Sequence, residues 1–229
     1  LRWLAWRWLF ARCGSVRFKI KIGFSEQSDA ANLEEAFATL LPGEELAVDV
    51  NQAWTRRQAL AGFEKLRHWP LLWIEEPLRC DSPVEDWAAL AAAAPHPLAA
   101  GENIRSHADF SAAIIRRHLG VIQPDICKWG GLSNCLPVAR AVLKAGLRYC
   151  PHYLGGGIGL LASAHLLAAA GGDGLLEVDC NPNPLRELLA RPFPAVREGR
   201  ITLSDAAGLG VEPDLDAVEN LVTYRAECR

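Results

Sequence analysis

Several things that would place a sequence at once are missing here. None of the 229 residues belong to an apolar run long enough to cross a bilayer, which takes about 20 residues. The seven cysteines, at 13, 80, 127, 135, 150, 180 and 228, include no CxxC pair and no zinc spacing. An odd, scattered set reads as reduced thiols in a cytoplasmic protein. Excess positive charge is also missing: the net charge is −3, so there is no electrostatic footprint for nucleic acid or an anionic membrane. An initiating Met is absent. The opening "LRWLAWRWLFARCGS" instead crowds Trp3, Trp6 and Trp8 together. Its apolar run is broken by Arg7 and no small-residue cleavage site follows, which argues against a signal peptide. A start in the middle of a larger protein is expected.

What is present is a repeat. Half of the residues are apolar, enough for a full core. Short β-rich runs at 16–23, 45–51, 70–77, 97–103, 119–125, 147–152 and 174–179 alternate with Ala- and Leu-rich segments of helical spacing. Ser28 or Asp29, Thr55, Ser82 and Ser133 are expected as helix N-caps, with Gly146 and Gly171 as stops. Strand followed by helix, repeated, predicts an α/β fold with a parallel sheet and right-handed crossovers. The expected organisation is an atypical segment over 1–15, the repeat over 16–200 and a loop-rich tail over 201–229.

Each run closes on an ionisable residue: Lys21, Asp49, Glu75, Glu102, Asp125, His152 and Glu177, at intervals of 23 to 28 residues. One such residue reads as a solvated strand end. A series of them predicts a (β/α) barrel, whose site forms where its strands end. Seven strands are legible and a barrel wants eight, so the first is expected to be lacking. Asp49, Glu75 and Glu102 fall on three consecutive strands. Carboxylates so gathered repel unless a cation joins them, and hard oxygen ligands with room for water and substrate suit Mg²⁺. In "FKIKIG", residues 18–23, Lys19 and Lys21 share one face of a strand; on that stretch alone an edge strand with solvated lysines suffices. Glu76, Asn51 and Asn103 are expected to hydrogen-bond behind the carboxylates. The competing signal is "GIGLLA", residues 157–162, which fits a dinucleotide-binding fingerprint with Glu177 downstream. It explains none of the ionisable series. Its glycines read as a flexible loop able to bind a carboxylate or phosphate.

The motifs "FKIKIG", "AVDVNQ", "WIEEPL", "AAGEN", "QPDICKWGG", and "CPH" with "LLEVD" together resemble the barrel domain of the enolase superfamily, mandelate racemase subgroup. The resemblance runs from about Val16 to Asp179 and on weakly through "GLGVEPD". It implies Asp49, Glu75 and Glu102 as Mg²⁺ ligands, and Lys21 and His152 as bases on opposite faces of a carboxylate substrate. It also implies Asp125 as the partner of His152, Glu177 as hydrogen-bond donor to the enolate, and Lys19 at the substrate carboxylate. Asn51 and Lys128 are expected as further substrate contacts, with Lys128 alternatively hydrogen-bonding near the metal. A lysine beside a second cation and out of water gives up its proton more readily, which suits a base. The implied activity is that of a lyase, an acid-sugar dehydratase acting on a small-molecule sugar acid. A racemase or epimerase of a 2-hydroxy acid and an inactive metal-binding fragment stand as alternatives. Family members carry an N-terminal capping domain, not legible here, and are expected to be homo-oligomers; neither nucleic acid nor membrane is an expected partner.

Overall fold

The computed structural model describes residues 15–224 and 226. The expectation for the segment 1–15 falls almost wholly outside the described residues. Strands β1 (Arg17–Lys21), β2 (Glu45–Asp49), β3 (Leu71–Glu75), β4 (Leu98–Ala100), β5 (Val121–Ile122) and β6 (Arg148–Tyr149) form one parallel sheet in sequential order. Helices α1 (Glu26–Thr39), α2 (Arg56–Leu66), α3 (Val84–Ala93), α4 (His107–Arg116) and α5 (Gly131–Lys144) make the crossovers, and α6 (Gly157–Ala170) follows β6. This is the parallel, helix-covered sheet that the strand–helix repeat predicts.

Local chemistry sets the helix ends. Thr55 and Gln58 form a full capping box at α2, and Gly171 ends α6. The cap of α1 is Ser25 rather than Ser28 or Asp29: Ser25 accepts from the Ser28 amide, and the Asp29 carboxylate turns back to the Gly23 amide. At α3, Pro83 takes the place expected for Ser82. Helix α5 starts ahead of Ser133, after Gly130 at φ +78°.

Two apolar layers result from the strand alternation. On the outer face, Phe18, Ile20, Leu46, Val48 and Ile74 pack under Leu33, Phe63, Leu90 and Phe110 of the helices. On the inner face, Ala47, Trp73, Ala99, Val121 and Cys150 form a smaller layer with Leu72 and Leu175. Leu46 pairs with Leu71 while Val48 pairs with Ile74. The extra residue on β3 lets both Leu72 and Trp73 join the inner layer.

The seventh expected strand differs. Residues 174–179 have no ladder partner among the described residues; the Leu175 amide donates to Cys150 Sγ, 3.3 Å away, instead of to a carbonyl. A Cβ on Gly174 would overlap the Tyr149 carbonyl oxygen, so the run touches β6 at one bare backbone point. Leu175 nevertheless reaches the inner layer. The glycines of "GIGLLA" are not a loop. Gly157 opens α6 against the Arg186 carbonyl, and Gly159 lies under the Tyr153 ring, where a Cβ would collide in both cases. Their role is close packing. A short helix, α7 (Pro184–Glu187), precedes β7 (Ala190–Arg191), which pairs antiparallel with β8 (Glu212–Pro213) across residue 200. Among the described residues no helix is long and apolar enough to cross a membrane.

Candidate active site

Side chains two residues apart on a strand share a face. The inner-face series therefore rises from the apolar layer to a charged mouth at the strand ends. Asp49 and Glu75 lie side by side in the ladder, and both are buried, as are Glu102, Asp125 and His152. The non-glycine residues Asn51, Gln52 and Glu76 adopt left-handed φ of +49°, +62° and +40° just past β2 and β3. Backbone strain of that kind collects where a site fixes the chain. The Gln52 amide donates to the Glu76 carbonyl over 2.7 Å, tying the two turns together.

Lys19 is the hub of one half of the mouth. Its Nζ lies 2.5 Å from Glu75 Oε1, 2.6 Å from Glu177 Oε1 and 3.9 Å from Asp49 Oδ2. Burial by itself would lower its pKa, but the charges of Glu75, Glu177 and Asp49 outweigh that and raise it. Lys19 is thus a firm cation. Lys21 Nζ reaches Asp49 Oδ2 over 2.8 Å from a half-exposed position. Burial, and then Glu75, raise the Asp49 pKa against the pull of both lysines.

His152 is the hub of the other half. Its Nδ1 lies 2.8 Å from Asp125 Oδ2, and its Nε2 lies 2.7 Å from Glu102 Oε2. Asp125 is fixed in turn by the amides of Cys127 and Lys128 on its Oδ1. Burial disfavours the imidazolium, yet Asp125 and Glu102 push the His152 pKa up to about 9. Glu102 has its cations close by. Burial alone would raise it, but His152 and the Lys128 ammonium, 2.8 Å from Oε1, hold it well below the usual range. Asn103 bridges Glu76 and Glu102, donating to Glu76 Oε1 over 2.9 Å and Glu102 Oε1 over 3.1 Å. Burial drives Glu76 up to about 7 against that hydrogen bond.

Glu177 joins the halves. One oxygen meets Lys19 from β1 and the other stands 3.8 Å from His152 Nε2, beyond β6. Strands at opposite ends of the sheet order thus share one carboxylate, so the sheet curls round on itself. A cavity of about 530 Å³ opens beside this point, lined by Lys19, Lys21, Trp73, Gln123 and Glu177 among others. Asn51 behaves differently from expectation: its side chain is exposed, and its backbone amide holds Asp49 Oδ1 over 2.7 Å.

The donor set suits a hard divalent cation. Asp49, Glu75, Glu102, Glu76, Asp125 and Glu177 meet three lysines and one imidazole, so negative charge exceeds positive even with His152 protonated. Asp49, Glu75 and Glu102 offer carboxylate oxygens at the ends of three consecutive strands, the chemistry of Mg²⁺ sites. Among the described residues no three of these groups stand close enough together to enclose an ion as placed; Lys19, Lys128 and His152 lie between them.

The profile of enolase C-terminal domain-like proteins matches residues 5–217. The chain belongs to that family. D-galactarolactone cycloisomerase of Agrobacterium fabrum is 29% identical over 209 residues, covering 87% of this chain and 55% of the relative. L-talarate/galactarate dehydratase of Salmonella typhimurium is 35% identical over 166 residues, covering 72% and 39%. A crystal structure of an L-talarate/galactarate dehydratase variant, liganded with Mg and L-glucarate, superposes with a TM-score of 0.82 at 29% identity, covering 93% of this chain and 52% of that one. The mandelate racemase/muconate lactonizing enzyme of Bordetella bronchiseptica RB50 superposes with a TM-score of 0.91 at 51% identity, covering 95% and 61%. This enolase-family chain therefore spans about half the length of the curated relatives it matches.

Two residues at the family's mouth escaped the sequence reading. Trp73 Nε1 and Gln123 Nε2 both donate to Glu75 Oε2, over 3.0 and 2.9 Å. The available signal was alternation: Gln123 is a polar residue between the inward-facing Val121 and Asp125.

Proposed function

We propose that this chain binds Mg²⁺ at Asp49, Glu75 and Glu102 and removes the α-proton of a carboxylate substrate, dehydrating a sugar acid to a 2-keto-3-deoxy acid. The observation that carries the reading is the pair of proton-transfer hubs set across one mouth. His152 is fixed through Nδ1 by Asp125, and a lysine pair stands on the strand at the other end of the sheet. The dehydratase relatives support the reaction class.

The bound Mg²⁺ would supply Lewis-acid stabilisation of the negative charge that develops on the substrate carboxylate. Lys21, the less buried lysine, takes the proton from the α-carbon. Lys19, held cationic by Glu75, Glu177 and Asp49, orients the substrate carboxylate by charge. Asp125 accepts the Nδ1 proton of His152, which leaves Nε2 as the atom that transfers a proton. His152 gives that proton to the β-hydroxyl as its C–O bond breaks. Water departs, and the resulting enol becomes the keto acid by taking a proton at the β-carbon and releasing the proton of its enol oxygen. Glu177, within reach of both hubs, closes the remaining side, and only in its acid form does it donate a hydrogen bond to the enolate. Lys128, on Glu102 Oε1, acts at the metal ligand rather than at the substrate.

The test is incubation of the protein with Mg²⁺ and a panel of sugar acids in D₂O. Keto-acid formation, abolished by Lys21→Ala or His152→Asn, is the expected result. Deuterium at the α-carbon with inversion and no keto acid would replace dehydration by racemisation. Mg²⁺ binding without exchange on any acid would reduce the chain to a metal-binding fragment.

A further inference from the structure

Glu75 is held by three side-chain donors, Lys19, Trp73 and Gln123. It is 1% exposed, and its two oxygens are treated unequally. Oε1 faces the Lys19 ammonium and, with it, Asp49 and Glu177. Oε2 faces away, into the inner layer, where it accepts from Trp73 Nε1 and Gln123 Nε2. We propose that Trp73 and Gln123 are positioning residues that clamp Oε2 of Glu75, so that Oε1 alone is presented to a cation at the mouth. The proposal rests on the reading of Glu75 as a metal ligand.

Three observations carry it. The first is that the orientation of Gln123 is forced. An ionised carboxylate only accepts hydrogen bonds, so the amide must turn its NH₂ to Glu75. Its carbonyl oxygen is then left buried with no partner among the described residues. A buried acceptor without a donor is a net cost to the fold. The inner-face neighbours Val121, Ala99 and Cys150 are apolar, and an apolar residue at 123 would avoid that cost. Glutamine here thus costs the fold one buried acceptor, offset by the donor it supplies to Glu75.

The second is the reach. Gln123 follows β5 and Glu75 ends β3, two strands away, with β4 between them. The residue just past β4 in the inward register is Gly101, at φ +151°, where a Cβ would press on the Gln123 backbone at 2.6 Å. A side chain there would push Gln123 out of its place. The third is the indole. Trp73 is 6% exposed and wedged among Ala47, Ala99, Val121 and Cys150, so packing fixes the direction of its N–H. Two donors from rigid places on one oxygen leave the carboxylate little rotational freedom, which is how outer hydrogen bonds orient a ligand.

The experiment measures Mn²⁺ binding by the loss of the free-ion EPR signal, alongside thermal melting without metal, for Gln123→Leu, Trp73→Phe and Glu75→Gln. Gln123→Met, close in length and lacking the donor, stands by if the leucine variant does not fold. Glu75→Gln is expected to lose Mn²⁺ binding. The two clamp variants are expected to bind roughly 10- to 100-fold more weakly, with the melting temperature of Gln123→Leu unchanged or raised. If Glu75→Gln loses binding but both clamp variants bind within twofold of the unaltered protein, the clamp is refuted and the metal reading survives. Weaker binding that only accompanies a fall in melting temperature also refutes it, since that is the mark of a structural role. If Glu75→Gln binds like the unaltered protein, the metal reading fails and the clamp with it.

Discussion

On β1, Phe18 and Ile20 turn outward and are 7% and 8% exposed beneath the helices, whereas Lys19 and Lys21, one residue out of step, turn into the mouth. The same contrast runs along β2, where Leu46 and Val48 face out and Asp49 faces in, and β3, where Ile74 faces out and Glu75 in. One backbone thus serves two solvents. The outer face is stabilised by burial of apolar area, about 25 cal/mol per Å². The inner mouth gathers like charges that burial opposes, offset by interleaved lysines and His152 and by neutral donors such as Trp73, Gln123 and Asn103. What this teaches is a separation: outer-face changes should alter stability and leave chemistry, while mouth changes should remove chemistry and alter stability by charge alone.

The sharpest way to break that separation is to strip a proton-transfer group. Lys21→Ala should lower α-proton exchange, measured by deuterium incorporation, and His152→Asn should lower keto-acid formation, each by about 10²- to 10⁴-fold. For Lys21→Ala the melting temperature should stay nearly constant, because its ammonium is half exposed. The opposite test is Phe63→Ala in α2, at 0% exposure. It should cost about 3–5 kcal/mol in urea unfolding while the folded fraction keeps its exchange rate. Lys19→Met probes the boundary between the two. It removes the cation shared by Asp49, Glu75 and Glu177 and should cost about 3 kcal/mol near neutral pH without metal, as unpairing a buried charge does. That loss should shrink in acid as the carboxylates protonate. A loss independent of pH would mean that Lys19 works by packing its methylenes, and the two faces would then differ less than the geometry says.

The sequence showed this contrast unevenly. Alternation made Lys19 and Lys21 legible as one face, and the even spacing from Lys21 to Glu177 made the mouth legible, because each inward strand end interrupts an apolar run. The barrel sheet followed from the same repeat. The last strand was overread: 174–179 alternates properly, but its backbone meets a cysteine side chain rather than a ladder, a choice made by packing against β6. The N-cap of α1 was misplaced because Ser25, Ser28 and Asp29 all accept hydrogen bonds, and only the path of the chain decides which one faces the helix. Trp73 and Gln123 were passed over because their partner lies on the same carboxylate oxygen, a convergence that spacing along the chain does not encode. The low Glu102 pKa was hidden for the same reason: its cations come from residues 128 and 152.

The smallest expected effect tests whether the inner face is dry below the mouth. Cys150 sits in the inner apolar layer, 2% exposed, and burial pushes its thiol up to about 11. A raised folded-state pKa means that the native protein keeps a proton that the unfolded chain releases. The stability tied to Cys150 is therefore fully present below the unfolded value, about 8.5, and is lost as pH rises through about 11. Over that window the loss should amount to at most about 2–3 kcal/mol. Cys150→Ser keeps an acceptor for the Leu175 amide and does not titrate there. Urea unfolding from pH 8 to 11 should show a shallower decline for Cys150→Ser than for the unaltered protein, with Cys135 and Tyr149, both raised first of all by burial, carrying what decline remains. Equal slopes would mean that water reaches the thiol, and that the charged mouth extends to the floor of the barrel instead of resting on an apolar one.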